Sequence, residues 1–152
     1  MPGTLSIRPI EARLTHNTRI LGSMDTYYQV LMGYQSFRSK LCLKGGKNPH
    51  WDSVVTLKKS DENVLYIELK DHRTATTDKT IGVCQVDLDN VRENEKLEWY
   101  PLYFEEKPAG ELLVNMVFSP DESEKSNEKS EPQKEELSKV KEGCSIPKDK
   151  YV

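Results

Sequence analysis

Apolar and polar residues alternate with a period of two through most of residues 3–119. In residues 110–118 one face would carry Leu112, Val114, Met116 and Phe118. This alternation is typical of half-buried β-strands, and turn sequences such as "MGYQ" and "EEKPAG" separate the runs. We predict strands at residues 4–11, 25–33, 35–42, 52–58, 63–70, 80–88, 97–104 and 110–118. Short strands at this spacing predict an all-β fold, an eight-stranded antiparallel β-sandwich.

The composition changes near residue 120, where the predicted strands end. Residues 121–142 contain only two apolar side chains, Leu137 and Val140, too few to offset the entropy lost on ordering the segment. We therefore divide the chain into a domain, residues 1–120, and a charged low-complexity tail, residues 121–152. The tail is expected to be disordered or ordered by a partner, with a short helix at 133–142, where helix-forming residues and Glu-to-Lys pairs occur.

Charge and targeting features narrow the location and the partners. The formal net charge of −3 over 152 residues predicts no nucleic-acid partner. No apolar run approaches a membrane span, and the first residues lack the apolar stretch of a signal peptide. We expect a cytoplasmic protein. Because Cys42, Cys84 and Cys144 lie far apart, we predict neither a zinc site nor a disulfide framework.

Several landmarks follow one another in the order found in C2 domains. They are "NPHW" at residues 48–51, the loop from Asp71 to "IG" at 81–82, and "WYPL" at 99–102. The resemblance covers residues 3–120. The spacing from Asp25 to Trp51 is similar to that in the C2 domain of Toll-interacting protein and in small plant elicitor-responsive C2 proteins. The resemblance implies an eight-stranded antiparallel sandwich, the same architecture that the alternation predicts.

The resemblance also implies where calcium would bind. Many C2 domains hold it with about five carboxylates on two loops. Asp25 and Asp71 match two of these positions, and cations occupy the other three, at Arg19, Arg73 and Lys79. Such cations would repel a divalent ion, so we expect no calcium cofactor and pairing of Arg19 and Arg73 with the two carboxylates. A bulge that moved Asp78 by one position would keep weak calcium binding open.

Basic residues indicate an anionic ligand instead. Some C2 domains bind phosphoinositides through a basic patch on two strands, and the matching region here carries Arg38, Lys40, Lys44 and Lys47. With the three loop cations, Arg19, Arg73 and Lys79, these are our candidate lipid-binding residues. A solvated basic face that prevents an edge strand from pairing with other sheets is an equally good interpretation.

Apolar residues in the first loop, Ile20, Leu21 and Met24, leave a similar choice. If exposed, they would insert into lipid or dock on a protein. If buried, they would tuck under the loop as a minor core, and this is the alternative that we favour.

No nucleophile-and-base pattern accompanies the three histidines, so we predict no catalytic residues. Two functions remain. The first is a calcium-independent C2 module that docks on anionic phospholipid membranes as a small adaptor. The second is a structural component of a larger assembly, for example cytoskeletal or ciliary, with the tail as its docking segment. The predicted location is accordingly peripheral membrane or cytoskeleton-associated.

Overall fold

The computed structural model describes residues 2–89 and 95–121, which form eight β-strands. In chain order these are β1 (Gly3–Leu14), β2 (Thr26–Met32), β3 (Gln35–Arg38), β4 (Val55–Lys59), β5 (Val64–Asp71), β6 (Lys79–Asp87), β7 (Lys96–Phe104) and β8 (Lys107–Pro120). Every paired neighbour is antiparallel. No helix long and apolar enough to cross a bilayer occurs among these residues.

The strands follow the order β3-β2-β5-β6-β7-β8-β1-β4. Between β6 and β7 the register consists of a single pair, Val83 with Tyr103, whereas β1 and β8 pair along almost their whole length. The sheet therefore turns at β6 and β7 into the two layers of a C2-like sandwich. The predicted fold class is confirmed.

The core lies between the layers because alternate side chains of each strand point inward. The inward set of β8 is Leu112, Val114, Met116 and Phe118, each at most 3% exposed. Burial of such a side chain contributes about 1.5–3 kcal/mol to the free energy of unfolding.

The "NPHW" segment anchors the second long loop to this core. Trp51 packs edge-on against Tyr28 with ring centroids 5.3 Å apart, and its Nε1 donates to the Thr26 carbonyl at 3.2 Å.

A side-chain amide connects the two edge strands, β3 and β4. Gln35 Nε2 donates to the Lys58 carbonyl at 2.6 Å, and the Lys58 N–H donates to Gln35 Oε1 at 2.9 Å. The Gln35 amide thus pairs with the backbone of β4 as a neighbouring strand would. The Lys58 N–H and carbonyl would otherwise be available for pairing with a strand of another chain.

All eight predicted strands are present, with shifted ends. The largest shift concerns the prediction at 35–42, which is too long: β3 ends at Arg38, so Lys40 lies outside the strand. Ser39 is buried between the exposed Arg38 and Lys40, so both basic residues still face solvent. The predicted helix at 133–142 and the tail after Asp121 lie outside the described residues.

Candidate functional site

Three loops meet at one end of the sandwich because the strands that they connect are antiparallel. The first loop, residues 15–25, joins β1 to β2; the second, 39–54, joins β3 to β4; the third, 72–78, joins β5 to β6. We call this end of the molecule the loop end. It contains nearly all of the sequence-predicted site residues.

A buried carboxylate, Asp71, is the centre of the loop end. Its side chain is 0% exposed, and both oxygens accept hydrogen bonds. Oδ1 accepts from Arg19 Nη2 at 3.0 Å and from the Asp25 N–H at 2.9 Å. Oδ2 accepts from Arg19 Nε at 3.0 Å, Arg73 Nε at 3.0 Å and Thr18 Oγ1 at 2.9 Å. We call these five residues the Asp71 cluster.

These donors determine the protonation state of Asp71. Burial by itself would raise the pKa of this carboxyl, but the hydrogen bonds from Arg19, Asp25, Arg73 and Thr18 outweigh it and hold the pKa below its ordinary value. The side chain is therefore a carboxylate at neutral pH, compensated by two guanidinium groups.

Arg19 connects the first loop to the third, and Asp25 extends this connection to the second. Besides Asp71, its Nη2 reaches Asp25 Oδ2 at 3.2 Å and the His72 carbonyl at 2.9 Å. Asp25 Oδ1 in turn accepts from the backbone N–H of Lys44, in the second loop, at 2.7 Å. The pairing predicted for Arg19 and Arg73 is present: Arg19 bridges both carboxylates, and Arg73 pairs with Asp71.

Asp78 has no direct contact with Asp71 but shares one partner with it, Arg73. It accepts hydrogen bonds from the Tyr27 hydroxyl and, at 3.0 Å, from the Arg73 N–H. His72 Nδ1 lies 3.2 Å from Oδ1, and an Arg38 nitrogen lies 3.9 Å from Oδ2. The Tyr27 bond is the largest cause that lowers the pKa of Asp78. Burial, followed by this bond, raises the pKa of Tyr27 to about 12.

Arg38 is engaged within the protein, in contrast to several lysines. Its guanidinium carbon lies 4.1 Å from the centre of the Tyr27 ring, a cation–π distance. Lys44, Lys47 and Lys79 are exposed and have no ion pair with any carboxylate that the structure describes. Lys40 is also exposed.

The first-loop apolar residues behave in two ways. Met24 is 0% exposed and belongs to the core, whereas Ile20 is 100% exposed and Leu21 86% exposed. The prediction that these residues tuck under the loop is therefore correct for Met24 and wrong for Ile20 and Leu21. Ile20 and Leu21 line an open cavity of about 620 Å³ together with residues of the third loop and Lys79.

Sequence reasoning missed Thr18 and Tyr27. Thr18 contributes a hydroxyl to Asp71, and Tyr27 holds Asp78. Neither has a local signal, because each partner lies more than fifty residues away along the chain.

Comparisons with known proteins agree with this architecture. The model of the C2 domain family matches residues 3–102. Elicitor-responsive protein 3 of Oryza sativa subsp. japonica is 25% identical over 123 residues, which are 79% of this chain and 85% of that protein. The 16 kDa phloem protein 2 of Arabidopsis thaliana is 24% identical over 124 residues, 80% of this chain and 84% of that protein.

Solved structures of C2 domains are also similar to this chain. A C2 domain-containing protein from a putative elicitor-responsive gene superposes with a TM-score of 0.70 at 23% identity, over 80% of this chain and 91% of that one. The calcium-bound structure of two C2 domains of Extended-Synaptotagmin 2 gives a TM-score of 0.64 at 29% identity, over 76% of this chain and 45% of that one. The resemblance read from residues 48–51, 71–82 and 99–102 is confirmed: this chain belongs to the C2 domain family.

Proposed function

We propose that this C2 module docks on anionic phospholipid surfaces without calcium, as a small adaptor with no catalytic role. One observation carries the proposal. Exposed lysines without an intramolecular ion pair to any described carboxylate, Lys44, Lys47 and Lys79, share the loop end with the exposed Ile20 and Leu21. Cations beside protruding apolar side chains complement a membrane surface, where headgroup phosphates lie next to hydrocarbon.

The Asp71 cluster supports independence from calcium. Calcium takes six to eight oxygen ligands, and it would need those of Asp71 and Asp25. Each oxygen of Asp71 already accepts from at least two donors, and two guanidinium groups are among them. The residues as they stand do not fit a divalent cation, which would have to displace Arg19 and Arg73 and leave their charges beside it.

The basic candidates then fall into two groups. The side chains of Arg19 and Arg73 are each 23% exposed and compensate buried Asp71, so we assign them to the framework of the loops. Lys40, Lys44, Lys47 and Lys79 are the proposed lipid contacts, with Arg38 at the margin. Each basic residue near an anionic surface contributes about 1 kcal/mol, so four give moderate binding that weakens as salt screens the charges.

Co-sedimentation with vesicles tests the proposal. We expect the full chain to sediment with anionic but not neutral vesicles, equally with calcium or chelator, and less as salt is raised. The double variant Lys44→Glu/Lys79→Glu should abolish sedimentation. The matched control is Lys58→Glu/Lys96→Glu, which makes the same charge change at exposed lysines on the opposite end and should have a much smaller effect.

Three outcomes would contradict the proposal. Sedimentation only with calcium would show that the Asp71 cluster opens to a metal. Equal loss in the two double variants would show that net charge, not the loop end, governs binding. No sedimentation under any condition would favour the second function, a structural component of a larger assembly that docks through protein contacts.

A further inference from the structure

A second cavity lies at the end of the sandwich opposite the loop end, and we call it the far-end cavity. It has a volume of about 270 Å³ and opens between the β4–β5 turn, the residues that follow β6 and the end of β8. Cavities that hold a drug-sized molecule measure about 300–1,000 Å³, so this one suits a single side chain. The described residues that line it are Lys59, Asp61, Glu62, Asn63, Leu88, Asp89 and Phe118.

The far-end cavity contains a buried ammonium group, that of Lys59. This residue is the last of β4 and follows Val55 and Leu57 at the inward positions of the strand, so the alternation places a lysine facing the core. It is only 9% exposed, and its Nζ lies 5.8 Å from the centre of the Phe118 ring. It has no hydrogen bond or ion pair with any residue that the structure describes. Because a buried charge without a hydrogen-bonding partner is costly, this position favours a ligand that brings an acceptor oxygen.

Carboxylates share the far-end cavity with this ammonium. Asp61 and Asp89 are exposed, and neither carboxylate has a hydrogen bond or ion pair within the described part of the chain. Glu62 differs, because its Oε1 accepts from the Ser60 N–H at 2.7 Å, which holds it in the turn. The two aspartates are therefore available to bind a cationic group.

This combination of charges fits a simple ion poorly. A free anion would meet the carboxylates, and a metal ion would meet the ammonium of Lys59. In residues 2–89 and 95–121 no group of three or more acidic, histidine or cysteine side chains is arranged to hold a metal ion. A suitable ligand has to bring a cation for the aspartates together with an acceptor for the lysine.

An arginine residue within a peptide brings both groups. Its guanidinium presents a planar fork of donors that matches carboxylate oxygens, and its main-chain carbonyl is an acceptor. Its methylene groups need an apolar surface, and the far-end cavity offers one in Leu88 and Phe118.

We infer that the far-end cavity binds an arginine-containing segment of a partner protein. The guanidinium pairs with Asp61 and Asp89, Lys59 donates to a carbonyl of the same segment, and the methylene groups pack on Phe118. The inference goes beyond the proposed function and does not depend on it, because no residue that lines the far-end cavity belongs to the loop end.

Titration of the isotope-labelled full chain, followed by the NMR shifts of its backbone amides, tests the inference. The probe is the blocked tripeptide acetyl-Gly-Arg-Gly-amide. We expect saturable shifts at residues 60–63 and 88–89 and none at the loop end. Absence of shifts at the far-end cavity would overturn the inference.

A pair of double variants tests the role of the aspartates. Asp61→Asn/Asp89→Asn should lower the affinity for the tripeptide by about tenfold or more, the loss expected for a charge-assisted hydrogen bond. The matched control, Glu98→Gln/Glu111→Gln, removes the same charge from exposed carboxylates outside the cavity and should keep the native affinity. Equal loss in the two double variants would show that net charge alone attracts the peptide and would overturn the inference.

The variant Lys59→Met distinguishes the proposed site from a merely acidic surface. Loss of the ammonium removes the donor to the peptide carbonyl, so the tripeptide should bind more weakly. Ethylguanidinium has no acceptor and is repelled by the ammonium, so it should bind this variant at least as well as the native chain. The dispersion of the amide spectrum shows whether each variant is folded, and the aspartate variants decide the matter if Lys59→Met is not.

Two further results would contradict the inference. Tighter binding of the tripeptide to Lys59→Met would show that the lysine opposes the ligand. Tighter binding of free arginine than of the tripeptide to the native chain would indicate a site for an amino acid and not for a protein segment.

Discussion

At the scale of the residue, Asp71 shows how side chains of the same domain compensate a fully buried carboxylate. Guanidinium is planar and presents a fork of donors that matches both oxygens of a carboxylate, and Arg19 binds Asp71 in this way through Nε and Nη2. The same side chain also reaches Asp25. One arginine thus connects the first loop to the end of β5 and to the third loop, and it donates to both oxygens of Asp71.

The first prediction concerns this arginine. Arg19→Met should lower the free energy of unfolding by about 2–3 kcal/mol. The substitution leaves buried Asp71 with a single guanidinium partner, Arg73, and removes the ion pair between Arg19 and Asp25. Urea denaturation at neutral pH measures the change. The matched control is Arg8→Met, which removes an exposed arginine without an ion pair among the described residues and should change stability by less than about 0.5 kcal/mol. Equal effects in the two variants would show that the cluster contributes nothing to stability.

At the scale of the element, the two short hairpins use different turn chemistry. Between β2 and β3 the loop is Gly33–Tyr34, with Gly33 at φ 58°, which suits glycine at the first position of a type II′ turn. Between β7 and β8 it is Glu105–Glu106, with φ values of 51° and 68°. Two positive φ values correspond to a type I′ turn, in which Asn-Gly is the preferred pair, so the two glutamates occupy a strained backbone.

The second prediction follows from this strain. Replacing Glu105–Glu106 by Asn–Gly should raise the free energy of unfolding by about 1 kcal/mol, since each L-residue in the left-handed region costs about 1–2 kcal/mol and part of that gain is offset by the flexibility of glycine in the unfolded chain. Urea unfolding with an unchanged m-value would measure it. Gly33→Ala provides a control of opposite sign, because its Cβ would lie 3.2 Å from Glu62 Oε2 at a positive φ. A destabilised Asn–Gly variant would contradict this account of the turn.

At the scale of the whole molecule, carboxylates join strands and loops that are remote in the chain. Asp71 connects the end of β5 to the first loop, and Asp78 connects the third loop to Tyr27 on β2. The pKa of each carboxyl is held below its ordinary value, for Asp71 by donors that outweigh burial and for Asp78 chiefly by the Tyr27 hydroxyl. The stability of the sandwich should therefore depend on pH at the acidic end of the scale.

The third prediction gives the direction of this dependence. A folded-state pKa below the unfolded value means that the unfolded chain binds protons first, so the stabilisation is complete above the unfolded pKa of about 4 and is lost as pH falls through the folded values. Urea midpoints should be constant between about pH 5 and 7 and should fall steadily below about pH 4. Asp78→Asn should make this fall shallower. Midpoints that rise on acidification, or an Asp78→Asn variant with an unchanged slope, would contradict the assignment.

Whether a feature could be predicted from the sequence depends on how far apart along the chain the interacting residues lie. Strand positions and the sandwich depend on alternation within about ten residues, as in β8, where Leu112, Val114, Met116 and Phe118 alternate with more exposed residues. Such local periodicity survives in the linear chain. The order of the landmarks at 48–51, 71–82 and 99–102 was enough to recognise the C2 family, since these residues serve the fold itself. The predicted end of β3 was less accurate than the other strand ends, because a polar residue such as Lys40 fits an edge strand and a loop equally well.

The candidate site depended on contacts between distant segments. The sequence by itself determined which residue types stand at the loop positions, and hence that Asp71 would meet arginines. Only the tertiary structure decided that Arg19 reaches Asp71 and Asp25 together, that Asp78 joins Tyr27 instead, and that Met24 is buried while Ile20 and Leu21 protrude. The physical reason is that burial and ion pairing at a loop depend on which strands bring the loops together, and that information lies in the packing of the sandwich and not in any single stretch of chain.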